Sequence, residues 1–207
     1  MTASIIGSKP DSGLRGSHFP DGTLRVLQLT DTHLYADPVR TLLGINTLES
    51  FQHVLRHFRD AHWPLDLLLA TGDLVHDASP QGYRRIARML AEFEVPVFCL
   101  PGNHDIRDLM QPVCCRPPFS YCAYEEIGQW LIVGIDSCVR GHAGGEVSKN
   151  ELERLAETIL RSPARHVMVC LHHPPVEMGS AWLDTVGLRN ADEVLARLIS
   201  LARVRIA

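Results

Sequence analysis

Apolar residues recur along the chain with two different periods. The stretches "LRVLQLT" (24–30), "LDLLLAT" (65–71), "VPVFCL" (95–100) and "RHVMVCL" (165–171) are short apolar or alternating runs, and they read as strands. Between them the period lengthens to that of a helix. In "NTLESFQHVLRHFRDA" (46–61), Leu48, Phe51, Val54, Leu55 and Phe58 share a face, Asn46 is placed to cap it, and Glu49 follows three residues on. "SPQGYRRIARMLAEF" (79–93) opens with Ser79 as cap and Pro80 at the first helical position, then Tyr83, Ile86, Leu90 and Phe93 at helical spacing. Ser148 and Glu151 form a capping box ahead of Leu152, Leu155 and Ile159. Asn190 is expected to cap a last helix bearing Val194, Leu195, Leu198 and Ile199. Two strands near 119–125 and 129–136, joined around Gly128, predict an antiparallel hairpin, and the Pro- and Cys-rich stretch 111–118 reads as a loop. At the end, Val204 and Ile206 alternate with Arg203 and Arg205, the start of a half-buried strand. Strands alternating with helices around a central hairpin predict an α/β layered fold, with helices covering sheets.

Composition narrows this picture without changing it. The 207 residues suit one domain, starting near residue 24 after a polar Gly-, Ser- and Pro-rich leader (1–23) that reads as flexible. Apolar residues make up 45% of the chain, enough for a sizeable core. A net charge of -4 and a pI near 6.2 show no basic excess, which argues against a general nucleic-acid partner. No apolar run approaches the ~20 residues that span a bilayer, and the leader lacks the apolar stretch of a secretory signal. The expectation is a cytoplasmic protein without membrane partner. Its six cysteines (Cys99, Cys114, Cys115, Cys122, Cys138 and Cys170) include no C-x-x-C pair and are expected to be reduced thiols.

The candidate chemistry lies just beyond the end of each strand. After the first comes "TDTH" with Asp31 and His33; after the second, "TGDL" with Asp73; after the third, "PGNHD" with Asn103, His104 and Asp105; after 165–171, "HHPP" with His172 and His173. Ligand crevices of open α/β sheets lie outside the carboxyl ends of the strands, so four such ends are expected to converge. Carboxylate, amide and imidazole donors suit Mn, Fe or Zn rather than a thiolate-bound metal. The two oxygens of Asp73 can bridge two ions, which would polarise a phosphoryl group and lower the pKa of a bound water. His104 is read as a general acid facing a leaving group, with Asp105 orienting it. His53, His57 and His62 fall off the apolar helix face and are expected to be solvated. His76 and Asp77 are read as turn-capping residues first and pocket-lining residues second, and the "RGHAGGE" segment around His142 as a mobile loop.

Taken in order, D-x-H, G-D, G-N-H-D and a histidine segment resemble the calcineurin-like metallophosphoesterase family. The stretches "LQLTDTHLYAD", "LLGINTLESF", "LPGNHD" and "AWLDTVGLRNADE" are similar to its bacterial class III 3',5'-cyclic AMP phosphodiesterases. The resemblance covers residue 24 to the end. It implies a four-layer sandwich, two mixed β-sheets flanked by helices, and two divalent or trivalent metal ions. It implies Asp31 and His33 on the first ion, Asp73 bridging, and Asn103 and His172 on the second. His104 then assists a leaving 3'-oxygen. The implied activity is hydrolysis of 3',5'-cyclic AMP to 5'-AMP by a metal-bridging hydroxide, in a monomer or homodimer. The alternatives are another phosphodiester or phosphomonoester substrate, or an inactive or binding-only product. The family's fifth block, G-H-x-H, does not occur in the sequence, so the resemblance predicts a C-terminally incomplete domain lacking the last strands.

Overall fold

In the computed structural model, which describes residues 23–201 and 204–206, strand alternation sorts side chains between three apolar layers. The first sheet orders β1 (Val26–Leu29), β4 (Leu67–Thr71), β5 (Val97–Leu100) and β6 (Phe119–Tyr121), all parallel. The second orders β10 (Val204–Ile206), β9 (His166–Cys170), β8 (Trp130–Gly134) and β7 (Tyr124–Ile127), with only the β7–β8 pair antiparallel. A small hairpin, β2 (Thr41–Leu42) and β3 (Ile45–Asn46), stands apart. In β4, Leu68 and Ala70 face one layer while Leu67 and Leu69 face another, as a two-residue period requires.

The layer between the sheets holds Leu67, Leu69 and Phe98 from one side and Ile127 and Ile132 from the other, with Trp130, Met168 and Cys170 packed against them. Outside the first sheet, α1 (Thr47–Asp60), α2 (Pro80–Ala91) and α3 (Arg107–Cys114) bury Phe51, Leu55, Tyr83, Ile86, Leu90, Met110 and Cys114. Outside the second, α4 (Lys149–Arg161) and α5 (Ala191–Ile199) bury Leu152, Leu155, Ile159, Val194 and Leu198. The result is helix, sheet, sheet, helix: the expected four-layer sandwich, except that the first sheet is purely parallel rather than mixed. No described helix is long and apolar enough to cross a membrane.

The caps at Asn46, Ser79 and Ser148 form as expected: each side chain accepts from the backbone N–H three residues on. Four local expectations are corrected. The stretch 119–125 is two strands in different sheets, because the chain turns at Cys122 (φ 42°) after β6 and re-enters as β7. Residues 111–114 lie in α3 rather than a loop; burial of Met110 and Cys114 outweighs the bond lost at Pro112. Asn190 does not cap α5 with its side chain, which instead pairs with both the N–H and the carbonyl of Val147. Val54 is half exposed at the rim of a groove beside Asp31 rather than in the core. The leader lies, apart from Thr23, outside the described residues.

Candidate metal centre

The first and second strand-end loops run side by side as a continuation of the sheet. Asp31 N–H donates to Gly72 O (3.0 Å), His33 N–H to Asp73 O (2.9 Å), Leu34 N–H to Leu74 O (3.0 Å) and His76 N–H to Leu34 O (2.9 Å). This ladder holds Asp31, His33 and Asp73 at φ 54°, 43° and 51°, left-handed backbone that costs a non-glycine residue about 1–2 kcal/mol. The strain turns three polar side chains toward one point. His33 Nε2 lies 3.8 Å from Asp31 Oδ1 and 3.7 Å from Asp73 Oδ2.

Asp73 is buried, and its other oxygen, Oδ1, lies 3.6 Å from His172 Nε2. Two imidazoles therefore flank the two oxygens of one carboxylate. His172 is supplied by the second sheet, and its Nδ1 donates to Thr71 O at 2.9 Å. That bond places the proton on Nδ1 and leaves the Nε2 lone pair facing Asp73. His173, by contrast, spends both ring nitrogens, on Ser137 Oγ (2.8 Å) and Ala143 O (3.1 Å), in a buried position. Only the first histidine of the pair has a nitrogen turned to the cluster.

The close approach of the loops depends on two glycines. A Cβ on Gly72, at φ 103°, would meet His172 Nδ1 at 2.5 Å, and one on Gly102 would collide with the backbone N and Oδ1 of Asp73. His104 N–H donates to Asp73 Oδ1 at 2.9 Å, so the G-N-H-D turn is tied to the same carboxylate. The exposed His104 ring stands edge-on to His33, centroids 5.0 Å apart. Asn103 is half buried and shares with His104 the wall of a cavity of about 530 Å³, completed by Ala78, Ile106, Val139 and Arg140. Arg107 bounds this cavity. Its guanidinium grips both oxygens of Asp136 and the Cys138 carbonyl, clamping the loop after β8 onto the turn after β5.

Asp105 does not orient His104. Its carboxylate accepts from the backbone of Gly102 (3.0 Å), Leu74 (3.1 Å) and Val75 (3.2 Å) and from Tyr83 Oη (2.9 Å), and burial raises its pKa. The reason is direction: the turn points this side chain inward, where it staples two site loops together. His76 is the residue that spacing undervalued. Its Nδ1 sits 3.1 Å from His33 Nδ1, and its ring stacks on His104 at 4.8 Å and 22°. Burial is the main cause lowering the pKa of both His33 and His76. The loop around His142 is anchored rather than free at its far end, where Gly145 exchanges backbone bonds with Gly187 and Arg189.

The donor set fits metal ions. Asp31, His33 and Asp73 present one ligand atom each within 4.8 Å of one another, as do His33, His76 and His104, and a buried carboxylate lies between two imidazoles. The fold and this sheet-edge cluster define a metallophosphoesterase, and the chain belongs to the calcineurin-like phosphoesterase family, whose model matches residues 24–198. Among its relatives, the 3',5'-cyclic adenosine monophosphate phosphodiesterase CpdA of Haemophilus influenzae is 39% identical over 183 residues, 88% of this chain and 67% of that protein. CpdA of Escherichia coli K12 is 40% identical over 186 residues, covering 89% and 68%. A 3',5'-cyclic-nucleotide phosphodiesterase of Nostoc is 32% identical, covering 88% and 69%. The crystal structure of TT1561 of Thermus thermophilus shares the fold at TM-score 0.59 with 16% identity, over 89% of this chain and 81% of that one.

Proposed function

We propose that the domain beginning at residue 24 is a metal-dependent phosphodiesterase that hydrolyses 3',5'-cyclic AMP to 5'-AMP. The observation that carries the reading is the setting of Asp73: a buried carboxylate with one oxygen 3.7 Å from His33 Nε2 and the other 3.6 Å from His172 Nε2. Such a setting suits a carboxylate that two ions would share. Similarity to relatives named as cyclic-nucleotide phosphodiesterases supports the substrate.

Asp31 and His33 would hold one ion and Asn103 and His172 the other, with Asp73 contributing to both. When bound, such ions polarise the phosphoryl oxygens and lower the pKa of water. The protein's own residues do the rest. His172 is oriented by its bond to Thr71 O, and the tie from His104 N–H to Asp73 Oδ1 holds the turn that carries His104 against the Asp73 carboxylate. His104, exposed at the cavity mouth, delivers a proton to the departing 3'-oxygen. The cavity walled by Ala78, Ile106, Val139 and Arg140 receives the nucleoside, at a volume in the usual range for small-ligand sites.

The test is a substrate panel with the 207-residue chain in Mn²⁺: 3',5'-cyclic AMP, 3',5'-cyclic GMP, bis(p-nitrophenyl) phosphate and p-nitrophenyl phosphate. Cyclic AMP is expected to have the highest kcat/KM. A ranking in which it is the poorest substrate overturns the substrate assignment. Absence of turnover on all four, with no Mn²⁺ bound, favours the binding-only alternative.

A further inference from the structure

His76 is not among the residues assigned to the two ions, although its ring nitrogen lies with those of His33 and His104 within 4.8 Å of one another, and it touches both of these side chains. Its place is set by backbone, not by chance packing. The ladder between the two loops ends with His76 N–H donating to Leu34 O, beside the bridge that pairs Leu34 with Val75. This register puts His76 next to His33, with Nδ1 facing Nδ1 at 3.1 Å. The His76 ring is further held between His104, stacked at 4.8 Å, and Tyr35, tilted at 5.0 Å.

A neutral imidazole carries one N–H donor and one lone-pair acceptor. Two lone pairs, or two N–H groups, facing each other at 3.1 Å would repel, so one ring donates there and the other accepts. On the reading that His33 gives its Nε2 lone pair to a metal ion, its proton resides on Nδ1. It then donates to His76 Nδ1, and His76 carries its own proton on Nε2. Metal-bound histidines generally need such an outer partner to fix tautomer and ring plane.

We propose that His76 is a positioning residue: it accepts from His33 Nδ1–H, fixing His33 with its lone pair toward Asp31 and Asp73, while its face sets the angle of His104. One side chain thereby orients both a metal ligand and the group assigned to protonate the leaving oxygen. The inference rests on the metal-site reading, and its test separates the two.

Mn²⁺ is titrated calorimetrically into the wild-type chain and into His76→Phe and His76→Gln, and ¹⁵N-histidine spectra of the metal-free proteins are recorded above neutral pH. Phe keeps an aromatic face but has no acceptor; Gln restores an acceptor oxygen. The expected result is Mn²⁺ affinity weakened about 10- to 100-fold in His76→Phe, at unchanged stoichiometry. Affinity is expected to recover most of the way in His76→Gln. The wild-type spectrum should show His33 protonated on Nδ1. Wild-type affinity in His76→Phe overturns the positioning role and leaves the metal site standing. Loss of a whole Mn²⁺ equivalent in both variants makes His76 a direct ligand and also overturns it. A wild-type chain that takes up no Mn²⁺ removes the metal-site reading, and this inference with it. Should His76→Phe not fold, an Nε2-protonated His33 in the wild-type spectrum refutes the proposal unaided.

Discussion

Gly102→Ala is the sharpest single perturbation of the site. The added Cβ would stand inside contact distance of the Asp73 backbone N and Oδ1 and 2.8 Å from its Cγ, where ordinary contacts are 3.4–4 Å. Asp73 has little freedom to yield. Its N lies just past the end of β4, its O accepts from His33, and its Oδ1 accepts from His104 N–H. Relief therefore requires the turn at 102–105 to move outward by about 1 Å, carrying Asn103 and His104 with it. Overpacking of this kind costs roughly 1–3 kcal/mol, or about 2–12 °C in Tm for a chain of this size. Misplacement by about 1 Å costs about 10²-fold in kcat/KM. Gly44→Ala is the control: at φ 84° it bears backbone strain, but nothing lies within 4 Å of its Cβ. It should lose a few degrees of Tm and keep Mn²⁺ affinity and turnover. Scanning calorimetry, Mn²⁺ titration and cyclic AMP turnover measure all three. Wild-type affinity and turnover in Gly102→Ala would refute the claim that the two loops are in contact through this glycine.

Arg107→Ala removes the three bonds that clamp the loop after β8 along the cavity wall, so on the proposed reading the KM for cyclic AMP should rise about tenfold with a smaller change in kcat. Arg107→Lys should not rescue it, since the grip on Asp136 is bidentate; the partly exposed pair adds little to Tm. Tyr83→Phe removes the donor to Asp105 and the acceptor for Ile106 N–H in a fully buried position, and should cost about 1–3 kcal/mol in urea denaturation. Asp31→Gly relieves φ 54° at an exposed side chain, so Tm should hold or rise by the equivalent of about 1 kcal/mol while Mn²⁺ affinity falls, read by calorimetry. Mn²⁺ at about a hundredfold over its Kd should add about 2.7 kcal/mol of stability, and a chelator should reverse it.

The elements of the fold were legible where a single period ran uninterrupted. β4 is buried throughout and apolar up to Thr71 because both of its faces are covered, and the caps at Asn46, Ser79 and Ser148 act through local geometry that spacing fixes. The switch between sheets at Cys122 was not legible: a single left-handed residue redirects the chain, and the residue type does not announce it. The same limit divides the site. The positions of Asp31, His33, Asp73 and His172 followed from the rule that polar residues at strand ends share an edge. The directions of Asp105 and His76 did not. Asp105 sits two residues after Asn103, yet points into the protein, because four donors meet it there. His76 looked like part of a turn, and gained its contacts from a ladder between segments 43 residues apart.

Backbone strain joins these observations. Eight described non-glycine residues adopt positive φ, and three of them are Asp31, His33 and Asp73. Glycine would relax each by about 1–2 kcal/mol but would remove the donor atom. The chain instead keeps the side chains and offsets the strain with the ladder from Asp31 to His76, whose bonds are all 2.9–3.0 Å. Such a ladder forms only if the second loop follows the first in register, and Asp105 secures that register from below by binding the N–H groups of Leu74 and Val75. The Asp of G-N-H-D thus serves the chemistry from a distance. It holds G-D-L-V-H against D-T-H, and so fixes the separations between His33, Asp73 and His76 on which the proposed metal centre rests.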